Sequence, residues 1–191
     1  RFSGPVVIDP RESFHRALEL SWHGGSACDL FGFGFRWRSW TTRDRRPGED
    51  PDAYHFVTRA EFDAHVDRGG FLEWVDFLDY RQGTPHPEPP EGCDVVLEID
   101  IVGAATVSSL VEDPLCLFID APSPEEQQAR LEGRGDPPER VAARMTKAVE
   151  ERRLARELGA EFVINDRVDQ AVADLEELIR RRRDADHPAS S

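Results

Sequence analysis

Lysine is nearly missing from this chain. Of its 24 lysines and arginines, in 191 residues, only Lys147 is a lysine, so almost all fixed positive charge is guanidinium. Glycine is missing from Val6-Val7-Ile8-Asp9-Pro10-Arg11-Glu12-Ser13-Phe14-His15, directly after Ser3-Gly4-Pro5. Backbone N–H groups close around phosphates only where side chains are absent, usually with a lysine beside them, so this stretch offers no such cradle. Cysteine is scarce: Cys28, Cys93 and Cys116 are odd in number and widely spaced. Reduced thiols in a cytoplasmic protein are expected, with no disulfide framework. Long apolar runs are lacking too, since acids break segments such as Val95-Val96-Leu97-Glu98-Ile99-Asp100. Neither a membrane span nor a secretory signal is expected. The histidines show no metal-ligand spacing, no internal repeat is present, and the formal net charge of −14 disfavours nucleic acid and anionic membranes as partners. The length suits one compact domain with room for an inserted lobe.

Against this acidic background, Ser39-Trp40-Thr41-Thr42-Arg43-Asp44-Arg45-Arg46-Pro47-Gly48-Glu49 concentrates cations and hydroxyls. Arg38, Arg43, Arg45 and Arg46 offer planar donor forks that match phosphate oxygens in pairs, with Ser39, Thr41 and Thr42 as neutral donors. The competing reading is a solvated basic loop.

Downstream the pattern is regular. Tyr54 to Val57 reads as a short strand, and Thr58-Arg59-Ala60-Glu61 is a capping box opening a helix with Phe62, His65 and Val66 on its apolar face, ended by Gly69-Gly70. Phe71-Leu72-Glu73-Trp74-Val75 and Phe77 read as a strand, in which alternation turns Glu73 either inward or to solvent. Gly83-Thr84-Pro85 reads as a turn, and the proline-rich stretch to Gly92 as a surface connection. Val95 to Ile101 and Leu115 to Ile119 suit strands buried on both faces of a parallel sheet, joined through a helix from Gly103 to Val111. Asp100 then falls near the carboxyl end of a strand, the edge where open α/β sheets hold ligands; it reads as a contact to metal-bound water or ligand, or as a simple cap. Ser123-Pro124 opens a helix that ends at Gly133-Arg134-Gly135. Pro137-Pro138 opens a longer one with Val141, Met145, Ala148, Val149, Ala155 and Leu158 at helical spacing, flanked at its start by Arg134 and Arg144. Glu161 to Asp166 is a last strand, and Val168 to Arg183 a last helix with Ala171, Val172, Leu175, Leu178 and Ile179 inward.

Seven blocks then carry a resemblance. Ser39-x-Thr41-Thr42-Arg43-x-x-Arg46-x-Gly48-Glu49, Tyr54-x-Phe56-Val57, Phe71-Leu72-Glu73-Trp74, Gly83-Thr84-Pro85, Glu98-Ile99-Asp100-x-x-Gly103, Arg130-Leu131-Glu132-Gly133-Arg134-Gly135 and Val163-Ile164-Asn165-Asp166 resemble guanylate kinase in order and spacing, over roughly residues 38 to 180. The resemblance implies an α/β fold: a P-loop NTPase-like parallel sheet with flanking helices, an inserted mixed α/β GMP-binding lobe and a helical lid. In that layout residues 1–37 are a degenerate N-terminal part of the core, 38–90 the lobe, 91–183 the core with its lid at about 123–148, and 184–191 a disordered tail.

The resemblance also implies roles. Ser39, Arg43, Arg46 and Tyr54 would hold the GMP phosphate, while Glu73 with Thr84 would accept the two adjacent N–H donors of guanine. Arg134, Arg144 and Asp100 would be catalytic, with Asp100 at the magnesium water shell, and Arg134, Arg144 and Asn165 would contact ATP. Mg2+ would accompany ATP, the reaction being ATP and GMP to ADP and GDP. Departures accompany it. Gln82 stands where a second phosphate-binding tyrosine is usual, Val102 replaces a common glutamine, and the glycine-rich loop with its lysine has no counterpart after Pro5. A shifted reading frame upstream of Arg38 would leave such an abrupt boundary. The alternative class is a non-catalytic guanylate-kinase-like module that binds GMP or another protein.

Overall fold

Five parallel strands and a separate four-stranded sheet organise the chain, whose computed structural model describes residues 5–8, 34–36, 38–77, 79–88 and 94–186. The core sheet comprises β1 (Pro5–Ile8), β2 (Gly34–Arg36), β7 (Asp94–Ile99), β8 (Leu115–Asp120) and β9 (Glu161–Ile164), in the order β2-β7-β1-β8-β9. Every pairing is parallel. The continuous apolar runs of β7 and β8 are explained by burial on both faces. Val96, Leu115, Leu117 and Ile119 pack with Ala171, Leu175 and Ile179 of α5 (Val168–Asp186). The alternate residues Val95, Leu97, Ile99, Cys116 and Phe118 pack with Ile101, Ala104 and Val107 of α2 (Ile101–Leu110) and with Ala155 of α4 (Pro138–Glu157). The two helical layers thus hold the strands with their carboxyl ends at one edge.

The helices start where their caps dictate. The Ser123 hydroxyl accepts from the Glu126 N–H at the head of α3 (Pro124–Gly133). Thr58 and Glu61 form the full capping box of α1 (Arg59–Asp67), an arrangement in which loss of the cap hydroxyl typically costs about 1 kcal/mol. Gly69 follows α1 with φ +66°, a left-handed conformation that any side chain would strain.

The smaller sheet is inserted between β2 and β7, in the order β4-β3-β6-β5: β3 (Trp40–Thr41), β4 (His55–Phe56), β5 (Phe71–Phe77) and β6 (Tyr80–Pro85). Register sorts its residues onto two faces. Trp40 lies opposite His55 and Gly83, and Gly83 opposite Trp74. This face is covered by α1, whose fully buried Phe62 stacks on Phe71 and meets Trp74 edge-on, while His65 stacks on Trp40. Gly83 has to be glycine because an added Cβ would lie 2.7 Å from the Trp74 Cβ and 3.0 Å from the Glu73 carbonyl. The opposite face carries Ser39, Thr41, Tyr54, Phe56, Glu73, Gln82 and Thr84.

Several sequence expectations need correcting. Gly83-Thr84-Pro85 is not a turn but the end of β6; glycine and proline signal a turn locally, yet here the pairing with β5 decides. Ile101 opens α2 instead of closing β7, because the Asp100 carboxylate caps the helix there. Val149 is 68% exposed, so it belongs to the outer face of α4. The last helix extends through residues 184–186, where a disordered tail was expected. Of the glycine-aromatic run Gly32 to Trp37, Gly34–Arg36 forms β2 and the rest lies outside the described residues, as does the segment from residue 9 to 33. Among the described residues Cys116 is a buried free thiol, and no helix is long and apolar enough to cross a membrane.

Candidate functional site

A bulge decides where Glu73 points. Phe71 pairs with Pro85 but Glu73 pairs with Thr84, so Leu72 is the extra residue in β5. Phe71 and Trp74 therefore both face α1, while Leu72 packs on the core cluster of Ile99 and Ile101, and Glu73 turns the same way. Bulges re-aim side chains in this manner and gather near sites. Glu73 is only 5% exposed. Burial pushes its carboxyl up to about 7; hydrogen bonds from the Thr84 hydroxyl and backbone N–H oppose the rise, and the nearby charge of Asp100 adds to it. The Ser39 and Thr84 hydroxyl oxygens are 3.3 Å apart. Since Thr84 gives its one proton to Glu73, Ser39 donates to Thr84, and the three form a chain.

Five of the six expected GMP contacts stand on this same face or lead into it. Arg43 lies over the rings of Tyr54 and Phe56, 5.0 and 5.4 Å from their centroids, on the Ser39 and Thr41 side of β3. The Glu49 carboxylate grips its guanidinium with both oxygens, the longer bond being 2.8 Å, and accepts the Arg46 backbone N–H at 2.9 Å. Burial pushes the Glu49 carboxyl up, but the Arg43 fork and the Arg46 amide outweigh it and hold the group below its ordinary range. Arg46, the sixth, sits in the turn closed by Gly48, φ +78°. Sequence reasoning placed Glu49 in the motif without a task; the structure makes it the clamp that orders the arginine cluster. Gln82 lies opposite Thr41 on this face.

The second group of residues occupies the carboxyl edge of the core sheet. Of the readings weighed for Asp100, the structure displays the cap: its Oδ1 accepts the Gly103 N–H at 2.8 Å at the head of α2, while its Oδ2 lies 3.4 Å from the Lys147 ammonium. Lys147 is also 3.4 Å from Glu151, one turn further along α4. Arg144, 6% exposed, lies one turn before Lys147, whereas Arg134, the C-cap of α3, is at the surface. The Asn165 N–H donates to the Asp120 carbonyl at 2.7 Å and its carbonyl accepts from Arg130 at 2.8 Å, so its backbone ties β9 to β8 and α3. Asp120, unnoticed in the sequence, takes a bidentate bond from Arg152 at 2.6 and 3.0 Å. Arg152 also donates to Gln127 at 2.9 Å. No local signal marks these pairs, because residues 100 and 147, or 120 and 152, meet only through the fold.

A parallel core sheet with an inserted lobe bearing a cluster of arginines, hydroxyls and one buried carboxylate defines an α/β protein of the P-loop kinase type. The comparisons with known proteins narrow this. The guanylate kinase family model matches residues 33–182. The guanylate kinase of Streptococcus agalactiae serotype III is 41% identical over 155 residues, 78% of this chain and 72% of that one. That of Deinococcus radiodurans is 42% identical over 145 residues, 72% of this chain and 60% of that one. The crystal structure of guanylate kinase from Anaplasma phagocytophilum superposes with a TM-score of 0.72, covering 95% of this chain and 86% of that one, at 21% identity. This chain belongs to the guanylate kinase family, a family of phosphotransferase enzymes.

Proposed function

We propose that the small sheet binds GMP on its core-facing side, with the phosphate held by Ser39, Arg43, Arg46 and Tyr54 and the base read by Glu73 and Thr84. The observation that carries this reading is the Glu73 carboxylate, buried by a bulge and supplied, among the described residues, with hydroxyl and amide donors by Thr84. Guanine offers two parallel N–H donors on its pairing edge, which a carboxylate accepts together; adenine offers a donor beside an acceptor. At the other end, arginine forks and hydroxyls supply charge-assisted bonds to phosphate.

The reaction that follows is phosphoryl transfer from ATP to GMP, giving ADP and GDP in purine nucleotide metabolism. Such transfer asks the protein mainly for alignment and charge neutralisation. Arg134 and Arg144 would neutralise the transferring group, and Asn165 would contribute at the ATP side. Magnesium fits the donor set present: it usually keeps several waters and takes one or two carboxylates plus substrate phosphates, and Asp100 supplies one carboxylate at the correct sheet edge. When bound with ATP it would neutralise phosphate charge. The glycine-rich loop and its lysine have no counterpart in the sequence after Pro5, so the transferring phosphate is aligned by fewer donors, and slow turnover belongs to this reading. A cytoplasmic location, where GMP and ATP occur, goes with it.

The test is equilibrium calorimetry of the purified chain with GMP and AMP. Saturable GMP binding at least about fivefold tighter than AMP binding is expected, the low end for one bidentate base contact. Equal affinities would remove Glu73 from base recognition.

A further inference from the structure

Gly103 lies inside α2, and its backbone does not require glycine: the left-handed glycines among the described residues are Gly48, Gly69, Gly135 and Gly159. Alanine would form this helix better. What Gly103 provides is space. A Cβ there would stand 2.5 Å from Glu73 Oε2, 2.9 Å from its Cδ and 3.4 Å from its Cγ, the first two well inside van der Waals contact. The carboxylate of the inserted sheet thus rests on the bare backbone of a core helix.

We propose that Gly103 is a positioning residue for base selection, its missing side chain allowing the Glu73 carboxylate to seat between α2 and Thr84, where it faces the guanine edge. The proposal rests on the reading of Glu73 as the base-selecting group. The atoms that a methyl group would meet are the free end of a long side chain, so the carboxylate would swing away and the helix would stay. Three elements face that carboxylate. Thr84 on β6 donates to it. Asp100, at the N-cap of α2, adds like charge and is bonded to the Gly103 N–H. Lys147 of α4 stands behind Asp100. A displaced Glu73 exchanges the Thr84 bonds for water and moves out of this field.

The experiment compares the full chain with Gly103→Ala, Glu73→Gln and the double variant, titrating each with GMP and AMP from pH 5 to 8.5 and recording thermal melts. Gly103→Ala should melt no lower than the parent, lose about tenfold in GMP affinity, the scale of a bond to a charged group, and keep its AMP affinity. Its pH midpoint for GMP binding should fall toward that of an ordinary glutamate. The double variant should bind GMP no worse than Glu73→Gln alone, since both changes remove one contact. As a second arm, Glu73→Asp in the Gly103→Ala background shortens the acid and should restore part of the GMP preference. Parent-like GMP affinity in Gly103→Ala overturns the proposal, and so does equal loss of GMP and AMP with a lowered melt, which would mark a structural glycine. A parent chain that binds GMP and AMP equally would refute the reading of Glu73 instead, and this proposal with it.

Discussion

The small sheet and the carboxyl edge of the core sheet both bury carboxylates, and they partner them differently. At the core edge Asp100 has Lys147 at 3.4 Å, and Asp120 takes two bonds from Arg152. In the small sheet Glu73 is as deeply buried, but its partners are the neutral donors of Thr84, with the like charge of Asp100 nearby. With hydroxyl and amide donors in place of a cation, the Glu73 carboxyl is raised to about 7 and stays near half-protonated at neutral pH. The contrast is between a buried acid with neutral donors in the small sheet and buried acids with cationic partners at the core edge, and it fits the proposed base-reading role of Glu73. Lys147, the chain's one lysine, links α4 to the end of β7 through Asp100 and pairs with Glu151 on its own helix.

The largest effect expected is on turnover. With the phosphate loop unmatched in sequence, a coupled assay of ADP release should give turnover at least about a thousandfold below a median enzyme's 10 per second. Next in size is the pH dependence of stability. A carboxyl raised from about 4.5 to about 7 binds its proton more tightly in the native than in the unfolded chain. Stability contributed by the neutral form is therefore complete below about pH 4.5 and lost as pH rises through 7, a cost on the order of 3 kcal/mol. Denaturant melts at pH 5 and pH 8 should show this slope, and Glu73→Gln should flatten it; an equal slope in the variant would place the titration elsewhere.

Ligand binding should run the opposite way with pH. Guanine needs the ionised acid, so affinity for guanosine, which carries no titrating phosphate, should rise with pH and level above about 7. A flat profile in the parent would mean that Glu73 does not meet the base. Arg43→Ala should weaken GMP binding by about 1.5–3 kcal/mol, the scale of a hydrogen bond to a charged group. Circular dichroism must accompany this titration because the change also strands the Glu49 carboxylate. Smallest is Thr58→Ala, which should cost about 1 kcal/mol of stability through α1 while leaving the GMP-to-AMP affinity ratio unchanged. A changed ratio would show that the α1 face and the ligand face are not independent.

How far each region could be read in advance also differs, for physical reasons. Caps and helical periods are local, so Thr58 with Glu61, Ser123 with Pro124, and the inward face of α5 at Ala171, Leu175 and Ile179 were all visible in the sequence. The arginine cluster stood out by composition, but composition alone left a solvated basic loop as the competing reading, and the blocks downstream were needed to point to a phosphate site. The orientation of Glu73 was not legible, because simple alternation ignores the bulge at Leu72, and bulges are set by pairing with another strand. Thr84 was misplaced in a turn for the same reason: Gly83 and Pro85 look like turn residues until Trp74 and Phe71 are found opposite them. Val149 matched the helical period of α4 yet faces outward, since neighbouring Ala148 and Ala155 already make the close contact. The pairs Arg43 with Glu49 and Asp120 with Arg152 show the two extremes, six residues apart within a motif and 32 apart across the sheet edge.

The proposed pairing of a GMP-binding lobe with a core that lacks the usual phosphate loop in sequence is tested most directly by one preparation measured in two ways: GMP affinity by calorimetry, and turnover with GMP and magnesium ATP in the coupled assay. The account predicts saturable GMP binding with preference over AMP, together with turnover below about 0.01 per second. Turnover near one per second would contradict it and mean that residues 9–33 build a working phosphate site from a sequence without the usual glycines and lysine.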